Sequence, residues 1–379
     1  MASRDSADRL TGLDTLRAIA IVHVVLTHGA MTFMPDLPGW GGRLVWLLIA
    51  TNFGVPLFFV LSGFLITRQL AGGMSVGPFY RHRLAKIYPM FLLAVIVFGL
   101  LGGVTDATVW FLHGFALHNS DVSVSSRVHG HLWSLAVEIQ FYALAPLLFL
   151  LGYRRLSLGS IAVLAVVVWA LHAGYLLSGP DTQDARVTGL LNVYQFTSFN
   201  IVALLLGALV YRAYAAGQTW RGALLVGTLA TVGMPLICWM VVPTLLVGQA
   251  ELANNWHLLA SLTLIALPPV ASACLAHLTL RRNWFSDPRW RPVARFIATI
   301  SYQWYLWHPL VLLGMQRLGS SRPKVGVWMQ TWPWLTLGAY VLVSALLGWA
   351  SYRWLEHPIH RWLLGRPKGA SSQKQSMAG

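Results

Sequence analysis

Charge is what this chain has least of. Of its 379 residues only 10% are Asp, Glu, Lys or Arg and just 12 are acidic, while 56% are hydrophobic. A soluble domain carries about a quarter charged residues, so this composition excludes an ordinary soluble fold and implies a polytopic membrane protein. Cysteine is nearly absent as well. Cys238 and Cys274 both lie inside apolar runs, which argues against a disulfide framework and reads as buried, inert thiols. The sequence has no Gly-rich phosphate loop ending in GK[ST], no GxSxG elbow and no HExxH. A P-loop ATPase, an esterase of that kind and a zinc protease are therefore unsupported. His113, His118, His129 and His131 cluster in one connection, but their spacing does not resemble a zinc site. No metal is expected, and an acceptor-binding role is the most this cluster suggests. There is no internal repeat, and the polar start MASRDSADRLT does not read as a cleavable signal.

What the chain does have is 18 Trp and 12 Tyr, residues that favour the membrane–water interface, and long apolar segments. Ten are long enough to span a hydrocarbon core, at 14–34, 44–67, 87–104, 131–151, 158–178, 194–211, 222–244, 256–279, 293–316 and 331–355. The second contains Gly54 and Pro56, which predicts a break or a tilt. The predicted fold class is thus all-α, a polytopic membrane protein of about ten transmembrane helices. A single transmembrane domain covers 1–365, and a polar, disordered cytoplasmic tail covers 366–379. With the N-terminus in the cytoplasm, 21 of the 27 Lys and Arg fall on the inner side and 6 on the outer. This asymmetry predicts both termini in the cytoplasm. It also explains the formal charge of +15 without a nucleic-acid partner; the partner is the lipid bilayer.

Ionisable groups inside these spans are costly and mark candidate functional positions. Arg17 and His28 stand eleven residues apart in the first span, which returns them to within about 20° of one face, with His28 ~16 Å deeper. His23 is rotated about 140° from His28 and should face elsewhere. Glu138 lies in the fourth span, ~10 Å in from His131, so depth counting places it level with His28. A His–Glu pair would orient the ring and raise its basicity; an interhelical structural hydrogen bond is the alternative. His131, Ser134 and Glu138 share a face. The inner loop PFYRHRLAKIYP gathers Arg81, His82, Arg83 and Lys86. It reads either as an orientation signal in contact with lipid headgroups or as a phosphate site. In the ninth span Ser301, Tyr305 and His308 form a polar stripe, either a buried hydrogen-bonded seam or part of a cavity. Arg353, Glu356 and His357 near the end of the last span read as interfacial.

The blocks GLDTLRAIAIVHVVLTHG, VPLFFVLSGFLIT, FYRHRLAKIYP, HLWSLAVEIQFY and SYQWYLWHP resemble, in order and spacing, the acyltransferase-3 family of integral-membrane bacterial O-acyltransferases. The resemblance covers nearly the whole chain. It implies transfer of an acyl group, usually acetyl, from cytoplasmic acyl-coenzyme A to a hydroxyl, in the bacterial inner (cytoplasmic) membrane. Acetyl-coenzyme A is then a donor substrate, and no tightly bound cofactor is expected. By the same resemblance His28 is the catalytic histidine and Arg17 a donor-binding residue. Arg83 and Lys86 match a paired basic motif whose second position is usually Arg, and Glu138 matches the glutamate after WSL. Pro56 stands where the family often has an acid. The expected mechanism binds coenzyme A phosphates at Arg17, Arg81, Arg83 and Lys86, with the acyl group reaching His28 oriented by Glu138. Trp133, Ser134, Tyr305 and His308 would line the substrate cavity. The expected acceptor is a cell-surface or lipid-linked glycan such as an exopolysaccharide, with no fused extracytoplasmic domain. A small diffusible acceptor such as a macrolide sugar, or a proton-coupled transporter, are the competing functions. Oligomeric state is not set by the sequence.

Overall fold

The computed structural model describes residues 2–34, 37–150, 157–180, 182–246, 255–282, 284–285 and 287–364; the predicted tail over 366–379 lies outside them. The described residues are helical almost throughout and contain no strand, as expected of an all-α fold. The helices are α1 (Ala2–Phe33), α2 (Gly39–Thr51), α3 (Gly54–Ala71), α4 (Val76–Leu101), α5 (Ala107–Gly114), α6 (Val122–Val128), α7 (Trp133–Leu150), α8 (Leu158–Ser178), α9 (Gln183–Gln195), α10 (Thr197–Ala215), α11 (Ala223–Leu246), α12 (Asn255–Arg282), α13 (Arg291–Ser321), α14 (Pro323–Thr331), α15 (Pro333–Ser351) and α16 (His357–Leu364). Among the described residues, eight helical segments are long and apolar enough to cross a membrane. Two more of the expected spans, 222–244 and 293–316, fall on α11 and α13. The α13 helix is long, at 31 residues, but its polar stripe makes it less apolar than the eight.

The second expected span is indeed broken, two residues earlier than its Gly and Pro suggest. Asn52 takes φ 29° and ψ 42° at the end of α2, and its amide donates to the Tyr194 hydroxyl at 3.0 Å. Asn tolerates this left-handed region better than most side chains. Pro56 then sits in the first turn of α3, where its missing N–H leaves no intrahelical bond unmade.

At the centre of the bundle, α1 packs along α13 and is flanked by α3, α12 and α15. Leu16, Ile21 and Val25 are wholly buried on it, and the arrangement explains why polar groups on α1 face protein instead of lipid. The tightest approach is between α3 and α10. A Cβ on Gly63 would lie 1.9 Å from the Leu204 carbonyl oxygen, and one on Gly207 would lie 2.0 Å from that of Val60. Only glycine lets the two backbones meet, the packing mode that substitutes for hydrophobic drive in lipid.

The connection between α4 and α7 folds back into the bundle. Tyr88, thirteen residues before the end of α4, donates to the Gly114 carbonyl at 2.5 Å. Gln140 on α7 donates to Ala116 O at 2.6 Å and to Asn119 Oδ1 at 2.8 Å. Asn119 in turn donates to Gln195 O and Thr197 Oγ1, both at 2.9 Å. The α5–α6 pair is therefore a re-entrant hairpin. The Gln140 amide on α7 satisfies its Ala116 carbonyl, and the Asn119 amide ties it to the backbone and the Thr197 hydroxyl of the α9–α10 corner.

Candidate active site

Three cations meet near the start of the apolar part of α1, which covers Gly12–Phe33. Arg17, Arg83 and Lys86 line a cleft together with Ser62, Ser134, Glu138, Tyr142 and Tyr305. Arg17 and Lys86, with Ala298 and Thr299, also line a second compartment that adds Asp14, Tyr352, Glu356, His357 and His360. The shared walls make the two spaces one cleft. It runs from Asp14 on α1 and the residues that follow α15 inward to the Ser134–Tyr305 hydrogen bond of 2.6 Å. Arg83 Nη2 donates to Gln69 Oε1 at 2.7 Å, and the guanidinium lies 5.1 Å from the centre of the Tyr142 ring. The interaction holds Arg83 in the wall through both a hydrogen bond and a ring face.

Glu138 accepts from Ser62 Oγ at 2.6 Å and from the Tyr142 hydroxyl. It does not pair with His28, which corrects the expectation drawn from depth. The His28 ring lies edge to edge with His308, its plane within 15° and its centroid 5.1 Å away, and the His131 ring lies 5.8 Å from His308. The residues leading into α7 are thus already level with His28, and Glu138 lies ~10 Å further on, toward the level of Arg17. Counting inward from each side assumed that both helices start at equivalent planes, but the re-entrant hairpin buries the start of α7.

The hydrogen bonds of the histidines define their tautomers. His308 Nδ1 is 2.7 Å from the Tyr305 carbonyl. A carbonyl only accepts, so His308 carries its proton on Nδ1 and, when neutral, offers the lone pair of Nε2. His28 Nδ1 lies 2.9 Å from that Nε2 and must be its donor. The proton of neutral His28 is thereby fixed on Nδ1, and its Nε2 is left as an unprotonated base or nucleophile. Because α1 and α13 run parallel, Arg17 faces Ala298 and Thr299 while His28 meets His308. Tyr305 joins the two regions. Its side chain ends the cleft, its hydroxyl donates to His131 O at 2.8 Å, and its carbonyl sets the His308 tautomer.

Ser134 and Tyr305 thus line the cleft, His308 touches His28, and Arg17, Arg83 and Lys86 stand together. Trp133 is buried against Phe59 and Tyr194 and lines neither compartment. Arg81 lines neither as well; its Nη2 donates to the Leu363 and Leu364 carbonyls at 3.2 and 3.1 Å, capping α16. His23 faces away from His28, as its rotation predicts, and bonds Thr51 Oγ1 at 3.2 Å. Sequence reasoning missed Ser62 and Tyr142, and read Glu356 as interfacial. Glu356 is buried and held by Gln303 Nε2 at 2.8 Å. The π-helical turn Tyr352–Glu356 changes its facing, a local register shift that a 3.6-residue period does not foresee. Among the described residues no three His, Cys, Asp or Glu side chains are arranged to hold a metal ion.

A helical membrane bundle with a basic cleft beside Arg17 of its central helix and a base-bearing histidine further along that helix defines the class of protein. The sequence model of the acyltransferase-3 family, described as an acyltransferase domain, matches residues 10–353, and the chain belongs to that family. It is 28% identical over 390 aligned positions to the "Putative peptidoglycan O-acetyltransferase YrhL" of Bacillus subtilis (strain 168), covering 92% of this chain and 55% of that protein. It is 24% identical over 388 positions to the O-acetyltransferase OatA of Staphylococcus aureus (strain NCTC 8325 / PS 47), covering 93% and 57%. The chain therefore spans a little over half the length of these two relatives. No solved structure matches it.

Proposed function

We propose that this chain is a membrane O-acyltransferase that moves an acyl group, acetyl in the first instance, from acyl-coenzyme A to a hydroxyl of a cell-envelope glycan. The observation that carries the reading is the cleft: three cations at its mouth, a hydroxyl pair at its end, and Tyr305 shared with the His28–His308 pair. Phosphates of the donor bind Arg17, Arg83 and Lys86, where Arg supplies the fork geometry and Lys a point charge. The thioester arm extends toward Ser134 and Tyr305. Movement of the Tyr305 side chain then exposes the acyl carbon to Nε2 of His28, whose Nδ1–H stays bonded to His308. The names of both relatives support acetyl as the group, and that of the Bacillus subtilis relative supports a glycan as the acceptor. The Lys and Arg asymmetry supports a cytoplasmic donor side and an inner-membrane location.

The test is thiol release from acetyl-coenzyme A by purified protein. His28→Ala is expected to lower turnover at least about 100-fold, the lower range for a positioned base, with folding retained. Arg17→Ala is expected to raise the KM for the donor more than it lowers kcat. Near wild-type turnover in folded His28→Ala would sink the reading.

A further inference from the structure

The histidine connection that the sequence singled out has a part beyond the His28 relay. His131 Nε2 lies 3.2 Å from the Leu306 carbonyl and must donate to it, which leaves Nδ1 of the neutral ring as an acceptor. His129 Nδ1 is 2.8 Å from that Nδ1 and supplies the proton. His129 is thereby fixed with Nε2 unprotonated, by the same logic and in the same order (carbonyl, buried histidine, half-buried histidine) as Tyr305, His308 and His28. The two relays touch through His131 and His308, and the Phe98 ring packs against His129 and His131 at 4.8 and 5.2 Å. His28 and His129 are both partly exposed, whereas His131 and His308 are buried. One cluster thus holds two imidazoles with preset lone pairs. A single-base transfer needs only one.

We infer that the two histidines divide the reaction: His28 Nε2 takes the acyl group, and His129 Nε2 takes the proton of the incoming hydroxyl. The inference rests on the acyl-transfer reading of His28. In the first half, Nε2 of His28 forms a bond to the thioester carbon, the C–S bond breaks and the thiolate leaves. In the second, the acceptor oxygen bonds to the same carbon while its proton passes to His129. The C–N bond to His28 breaks, and His129 releases the proton to the thiolate through solvent. The sum is thioester plus alcohol giving ester plus thiol. Burial lowers the His129 pKa to about 4, with nearby His28 adding to the shift. The ring is therefore neutral and available at pH 7. A weak base suffices, because the hydroxyl proton becomes far more acidic as the C–O bond forms.

Water can stand in for the acceptor, so the experiment needs no identified glycan. Stopped-flow thiol detection follows wild-type protein mixed with acetyl-coenzyme A alone. A burst of about one thiol per protein is expected, followed by slower steady release as water deacylates His28. In His129→Asn, whose amide still donates to His131, the burst is expected to persist within about twofold while the steady rate falls about 100-fold. In His129→Ala, added imidazole is expected to restore part of the steady rate, which a structural role would not permit. The inference is overturned by a wild type without a burst, by an unchanged steady rate in His129→Asn, or by equal loss of both phases with the fold intact. A burst that survives in His28→Ala instead refutes the role of His28 itself.

Discussion

His28 owes its readiness to a neighbour whose own proton is set by backbone. The Tyr305 carbonyl determines His308, and His308 determines His28, with no carboxylate involved. Replacing His308 by Leu removes the acceptor for the His28 Nδ1–H and frees the ring to adopt either tautomer. Turnover in His308→Leu is expected to fall roughly tenfold to a hundredfold, part of the 10²–10⁴ that a positioned base supplies, while the donor KM stays unchanged. A higher donor KM with kcat intact would move His308 out of this relay and into donor binding. Glu138 belongs to the cleft. It faces the same space as Lys86 and Arg83 and is satisfied by two hydroxyl donors, so its charge acts on the cations of the cleft and not on the imidazole.

Two elements fix where these groups stand. The α3–α10 crossing places Ser62 beside Glu138 and depends on Gly63 and Gly207. In Gly207→Ala the new carbon meets backbone, which cannot yield as a flexible side chain would. A loss of about 1–3 kcal/mol is expected, read as a lower unfolding temperature in detergent. The re-entrant hairpin is the second. His113 and His118 stack within it at 4.1 Å, both fully buried. Burial lowers the pKa of both, that of His118 to about 3, with His113 adding to the shift. The unfolded segment binds protons below its ordinary value near 6.5 while the folded one does not, so hairpin stability is full above that pH and declines as pH falls toward 3. Between pH 7 and pH 5 the His118 contribution is expected to fall by about 2 kcal/mol. Hydrogen exchange of residues 107–128, corrected for intrinsic rates, is the measurement. Protection that does not change between these pH values would contradict it.

For the molecule as a whole, the cleft and the histidine cluster lie at successive levels of one seam between parallel α1 and α13. The direction of that seam across the membrane follows from the charge asymmetry and is open to direct test. In protein lacking Cys238 and Cys274, a label at Arg322→Cys is expected to react with a membrane-impermeant maleimide added outside intact cells. One at Arg282→Cys is expected to react only after permeabilisation. The opposite pattern would invert the proposed donor and acceptor sides.

Composition and hydropathy alone determined that the chain is helical and lives in a membrane, because few charges and long apolar runs leave no other solution. Helical periodicity correctly grouped Arg17 with His28, and Ser301 with Tyr305 and His308, since side chains eleven, four or three residues apart on one helix have a fixed relation. Relations between helices were not legible. Depth counting paired His28 with Glu138, but the start of α7 is sunk beneath a hairpin that the sequence showed only as an outer connection. The inward turn of Glu356 depends on a single π-helical turn, and the break before α3 falls at Asn52, ahead of the Gly and Pro that signalled it. The tautomers of His28 and His129 required the tertiary structure for the same reason. Each is set by a carbonyl on α13, more than a hundred residues away in sequence, and only packing brings those oxygens to the rings.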